Sequence, residues 1–135
     1  MIVIYIRHEF QPNFIINFIT RGALRKGSTG SKLDPRIKVV SDNFFVKNVM
    51  DAFSNKEFEK FLCSKKVNHI IFTGVDARAC VDRTLKAALN RGYKATVIND
   101  AIATKDDARL MKKIREFKEI GATITTTEKL LAQYL

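Results

Sequence analysis

Cysteine is scarce in this chain. Cys63 and Cys80 are its two cysteines, they stand in no CxxC or Cys/His ligand spacing, and a chain of this size folds without disulfide staples. Both are therefore read as reduced thiols, and a disulfide scaffold is excluded. Long apolar runs are also missing. The opening Ile2 to Ile6 stretch is too short for a signal-peptide core and passes at once into Arg7, His8 and Glu9, and no other run approaches a membrane span. A soluble, cytoplasmic protein with no membrane partner is expected. Acidic residues are outnumbered, 14 against 24 Lys and Arg, for a net charge of +10. Such a balance attracts nucleic acid whatever the fold. Yet the basic residues are spread along the chain, with doublets at Arg25-Lys26, Lys65-Lys66 and Lys112-Lys113. No aromatic-interleaved basic stripe or recognition motif accompanies them, so the charge is read as solvated helix faces, and nucleic-acid binding survives only as an alternative resting on charge. What the chain does have is 46% hydrophobic residues over 135 positions, enough for one packed core and a single domain over 1–135.

The second half alternates strand and helix. His69 to Thr73 is a short β-branched and aromatic run closed by Gly74. Val81, Leu85, Ala88 and Leu89 then fall on one face of a helix between Ala77 and Arg91, stopped by Gly92. Lys94 to Ile98 follows as a buried strand. Thr104 with Asp106 and Asp107 makes a cap and an acidic first turn, and Leu110, Met111, Ile114 and Phe117 form that helix's inward face, ended by Gly121. Ala122 to Ile124 suits a last strand, and the capping-box spacing of Thr125 and Glu128 announces a final helix carrying Leu130, Leu131, Tyr134 and Leu135. Ser54 and Glu57 have the same spacing ahead of Phe58, Phe61 and Leu62, with Cys63 read as core on that helix's apolar face. Alternation of this kind implies parallel strands joined by crossover helices, hence an α/β sandwich with helices on both faces. Ile2 to Ile6 adds a strand. Between residues 10 and 43 the pattern is weak: Phe14, Ile15, Phe18 and Ile19 suit one helical turn or two, punctuated by Gly22, Gly27, Gly30 and Pro35. An excursion of that length in a compact domain is usually functional.

Chemistry concentrates in Gly74-Val75-Asp76-Ala77-Arg78-Ala79-Cys80-Val81-Asp82-Arg83-Thr84. A strand ends and a helix begins there, placing Cys80 near a first helical turn at the carboxyl edge of the sheet, where open α/β sheets bind ligands. Free amides and the positive helix end favour a thiolate and suit a developing oxyanion. On spacing alone, a small buried core cysteine is the competing reading.

The run from Thr73 to Thr84, continued by Ala87 to Tyr93 and Val97 to Ala101, resembles the signature of the isochorismatase-like hydrolases: a strand ending in Thr-Gly-Val, a Cys-Val pair, a Thr three residues after that Val, then Gly-Tyr and Asp-Ala. Upstream, Val46-Lys47 and Asp51-Ala52-Phe53 resemble the family's Lys and Ala-Phe segment, and Ile2 to His8 its second strand. The resemblance implies a three-layer, mainly parallel Rossmann-like sheet. It also implies a Cys nucleophile at Cys80 that forms a thioester-type intermediate, and a Lys at Lys47 whose ammonium stabilises negative charge. By the same resemblance a cis peptide between Val75 and Asp76 aims the Asp76 and Cys80 amides into an oxyanion hole. His8 is read as lining the substrate pocket or structuring its wall, and Arg78 as lining it. Without it, Lys47 would pass for a surface lysine.

The family's third catalytic group, an Asp at the end of a first strand, has no counterpart in the matched register, so the chain is expected to be N-terminally truncated relative to the family, with that strand absent. Loss of a proton acceptor commonly costs about 10² to 10⁴ in rate. The absent strand lies centrally in the family's sheet, between Ile2 to Ile6 and His69 to Thr73. Closure is expected by direct pairing of those two strands or by a strand from another chain, which favours a homo-oligomer. Nicotinamidase-like members hold a metal with an Asp and paired His. Here His69 begins a buried strand and His8 stands alone, so no metal and no cofactor is expected. The leading expectation is a hydrolase of small amides or related C–N bonds acting on a small-molecule substrate. A catalytically impaired or non-catalytic family member or fragment comes second, and a basic nucleic-acid binder third.

Overall fold

The computed structural model describes residues 1–10, 21 and 32–134 and divides into two compact units, Met1–Lys60 and Phe61–Leu135. The helical turns expected at Phe14, Ile15, Phe18 and Ile19, and Gly22, Gly27 and Gly30 beside them, lie outside the described residues, as does Leu135.

In the first unit β1 (Tyr5–His8) and β2 (Phe44–Lys47) pair in parallel, with Tyr5 opposite Phe44 and His8 opposite Lys47. The ladder is prolonged at both ends, by the Tyr5 amide on the Asn43 carbonyl and the Glu9 amide on the Lys47 carbonyl, each at 2.9 Å. The strand expected over Ile2 to Ile6 is thus displaced toward His8. Its cause is local: the Val3 carbonyl accepts from Ser41 Oγ at 2.7 Å and Asn43 Nδ2 at 3.0 Å, side-chain donors that stand where a ladder amide would. A 3₁₀ turn (Ala52–Ser54) capped by Asp51 leads into α1 (Lys56–Ser64). Asn55 Oδ1 accepts the Glu57 amide at 3.0 Å, so the cap is Asn55. Ser54, expected in that role, instead donates its hydroxyl to the Asp51 carbonyl. Phe53 and Phe58 are buried and meet edge to face at 5.2 Å, with Phe45 on Phe58 at 5.5 Å.

The second unit is strand-helix alternation: β3 (His69–Val75), α2 (Cys80–Asn90), β4 (Lys94–Ala103), α3 (Asp107–Glu119), β5 (Thr123–Thr125) and α4 (Thr127–Tyr134). Its sheet has the order β3-β4-β5, all parallel. Ala95, Thr96, Val97 and Ile98 are consecutively buried, the mark of a strand covered on both faces. Val81, Leu85 and Ala88 form the buried face of α2, as their spacing predicts, each large side chain contributing roughly 1.5–3 kcal/mol. Phe117 is fully buried from α3, but Met111, expected beside it, is 63% exposed. Two more caps shift. Asp106, not Thr104, accepts the Arg109 amide at the start of α3, and Thr126, not Thr125, stands before α4, with its Oγ1 on the Lys129 amide. The fold is α/β with parallel sheets, as expected.

Candidate active site

β3 runs past Gly74, whose φ of +105° is open to glycine and strained for side-chain-bearing residues. The Val75–Asp76 peptide that follows is cis, at the bond where the resemblance expects one. Asp76 then organises the turn. Its carbonyl accepts the Ala79 and Val81 amides, both at 3.1 Å, and its Oδ1 accepts the Arg78 amide at 2.8 Å. The Ala77 amide donates to the Ala103 carbonyl at 2.8 Å, tying the turn to the carboxyl end of β4. Cys80, half-buried and in no disulfide, is the first residue of α2. The N-cap, Ala79, makes no side-chain cap.

Two residues after Cys80, Asp82 is buried. It receives Lys86 at 2.9 Å and Lys113 of α3 at 3.1 Å, and Lys113 also pairs with Glu116. Burial alone would pull the Lys113 ammonium down, but its bonds to Glu116 and Asp82 outweigh that and raise it above the ordinary lysine value. The Lys113 bond in turn holds Glu116 below the usual carboxylate value. Sequence gave no sign of this network beyond the i,i+4 spacing of Asp82 and Lys86. Arg78 lines a cleft of about 260 Å³ with Arg109, Lys112, Lys113 and Glu116.

The remaining candidates belong to the first unit. Lys47, only 5% exposed, directs Nζ to His8 Nδ1 at 3.0 Å and to the Val49 carbonyl at 3.1 Å. An ammonium can only donate, so in this pair His8 Nδ1 is the acceptor and the ring is uncharged. Burial and the Lys47 charge both lower the His8 pKa, against a backbone hydrogen bond at Asn48. Lys47 also lines a cavity of about 380 Å³ with Val46, Asn48, Val49, Ser54 and Asn55. Val75, Asp76, Arg78 and Cys80 thus share one turn of the second unit, while His8 and Lys47 meet in the first. Two histidine and cysteine expectations are corrected. His69 is exposed, with its ring Nε2 2.8 Å from Thr96 Oγ1, and Cys63 is exposed on α1 rather than core. Among the described residues no three His, Cys, Asp or Glu side chains gather as a metal site, and no helix is long and apolar enough to cross a membrane.

Comparison with known proteins gives the geometry a context. The family model described as "Isochorismatase domain" matches residues 1–129. A Bacillus subtilis protein described as the uncharacterized isochorismatase family protein YddQ is 24% identical over 105 residues, covering 74% of this chain and 58% of that one. This chain therefore spans little more than half the length of that relative. The crystal structure of an isochorismatase-like hydrolase from Alkaliphilus metalliredigens superposes with a TM-score of 0.86 at 20% identity, over 98% of this chain and 72% of the other. That of N-carbamoylsarcosine amidase from Thermoplasma acidophilum gives 0.75 at 25% identity, over 92% and 71%.

Proposed function

We propose, because this chain belongs to the isochorismatase family, that it hydrolyses small amides or related C–N bonds with Cys80 as nucleophile. The observation that carries the reading is the position of Cys80, first in α2 behind a turn built on the cis Val75–Asp76 peptide and not capped by a side chain. Cys80 Sγ attacks the carbonyl carbon, and the oxyanion is held by the Asp76 and Cys80 amides. Collapse breaks the C–N bond and releases ammonia or an amine that leaves with a proton. Water then cleaves the thioester, giving the carboxylic acid and restoring the thiol. In this reading Lys47 supplies the cation that stabilises the developing negative charge, and His8 fixes the Lys47 ammonium by accepting its hydrogen bond. An amide substrate also accords with the presence of N-carbamoylsarcosine amidase among the similar structures.

A second reading is a family member without efficient turnover: in the register matched by the resemblance, no Asp of this chain corresponds to the family's proton acceptor. An amidase screen decides between them. Turnover that disappears in Cys80→Ala and falls at least about 10²-fold in Lys47→Met supports the first, and its absence in the native chain supports the second. A reducing, cytoplasmic location is proposed on the two free thiols.

A further inference from the structure

We infer that the cleft beside the Cys80 turn is an anion site and that the substrate carries an acidic group, a carboxylate or phosphate, seated between Arg78 and α3. The inference rests on the Cys80 reading above. Arg109, Lys112, Lys113 and Glu116 follow one another at i, i+3, i+4 and i+7, so they share one face of α3, and Arg78 closes the cleft from the turn. Four of the five lining side chains are cationic. Lys113 is neutralised by Asp82 and Glu116, and Arg109 by Asp106. Arg78 and Lys112 have no ion pair among the described residues, and both are exposed. Lys112 acts on the Glu116 carboxylate, which Lys113 already pairs, so four cations against one lining carboxylate leave the cleft positive, a charge that an entering anion offsets. A planar guanidinium offers that anion two parallel donors, the geometry a carboxylate or phosphate takes.

Size and position point to part of a substrate. At about 260 Å³ the cleft falls below the roughly 300–1,000 Å³ of pockets that hold whole ligands, which suits a substituent. Arg78 is two residues from Cys80, at most about 7.6 Å along the Cα trace. A molecule with its acid group in the cleft has its remaining atoms close to the Cys80 turn.

Paired alkylating agents test this without needing turnover. Iodoacetate carries the acid group and iodoacetamide lacks it, so the ratio of their rates at Cys80 reports the cleft, whatever the thiol's own reactivity. That ratio is expected to fall about tenfold in Arg78→Gln/Lys112→Gln while the ratio at exposed Cys63 holds. Calorimetric titration with inorganic phosphate should show saturable binding to wild type and Cys80→Ser alike, weakened in the double variant. No saturable phosphate binding, or binding unchanged in the double variant, overturns the site. Phosphate binding with an unchanged alkylation ratio identifies a free-anion site and overturns the substrate assignment. A single-stranded oligonucleotide that binds through Arg78 and Lys112 where phosphate does not would assign the cleft to nucleic acid instead. If the Cys80 reading alone fails, amide turnover is missing while phosphate binding and its loss in the double variant remain.

Discussion

A lysine ammonium that is 5% exposed needs hydrogen-bond acceptors to offset lost hydration, and Lys47 finds His8 Nδ1 and the Val49 carbonyl. That bond requires a neutral imidazole, and the consequence is a measurable pH dependence. The His8 pKa is lowered by burial and by the Lys47 charge. Below the unfolded value of about 6.5 the unfolded chain therefore takes up a proton that the folded chain refuses. The stability contributed by neutral His8 is fully present above about pH 6.5 and is lost as pH falls through the lowered folded value. Between about pH 7.5 and 5.5 the melting temperature of the native chain should drop more steeply than that of His8→Gln. Parallel curves would remove His8 from the acid sensitivity. Asp82 offers a second residue-scale test. Its carboxylate is the partner of Lys113, whose side chain is 12% exposed, and removing one member of a buried pair strands the other. Asp82→Ala should cost about 3 kcal/mol in denaturant unfolding, and a loss under about 0.5 kcal/mol would mean that Glu116 alone suffices.

At the scale of elements, the helices were legible and their capping residues were not. Apolar spacing placed Val81, Leu85 and Ala88 on the inner face of α2, and all three are buried, because the 3.6-residue period depends on the local chain alone. Each capping residue, by contrast, competes with neighbours that have similar side chains. Asp106 holds the Arg109 amide at the start of α3, so Asp106→Ala should cost about 1 kcal/mol. Thr104→Ala should stay within about 0.5 kcal/mol, and equal losses in thermal melts would contradict the assignment. The same helix separates packing from pattern. Phe117, fully buried, should lose about 3–5 kcal/mol on truncation to alanine, whereas Met111, 63% exposed, should lose almost nothing despite sharing the apolar spacing. β4 exceeded its expected length for a reason that spacing does not carry. Its register against β3 shifts between Phe72 and Gly74, so Asn99 and Asp100 remain in the strand, and the Asp100 carboxylate receives the Thr127 amide at the start of α4.

At the scale of the whole molecule, the described sheets are small, two strands in one unit and three in the other, below the roughly 4–6 strands most sheets have. β1 has its ladder with β2 and β3 has its ladder with β4. An open strand edge invites pairing with another chain, and self-association of this chain is proposed. Sedimentation velocity should find dimers or larger species, and a stable monomer across the accessible concentrations would end the proposal. By itself the sequence determined the order of strands and helices in the second unit, the turn that carries Cys80, and the family resemblance, because each depends on residues within a few positions of one another. Tertiary structure decided what depends on distant partners. Lys113 reaches Asp82 across 31 positions, Asp100 caps a helix 27 positions on, and His8 meets Lys47 across 39. The burial of Lys47, the exposure of Cys63 and His69, and the cationic cleft beside Arg78 follow from such meetings. A hydrogen bond or a shared charge forms wherever folding brings two groups together, and no local spacing encodes that encounter.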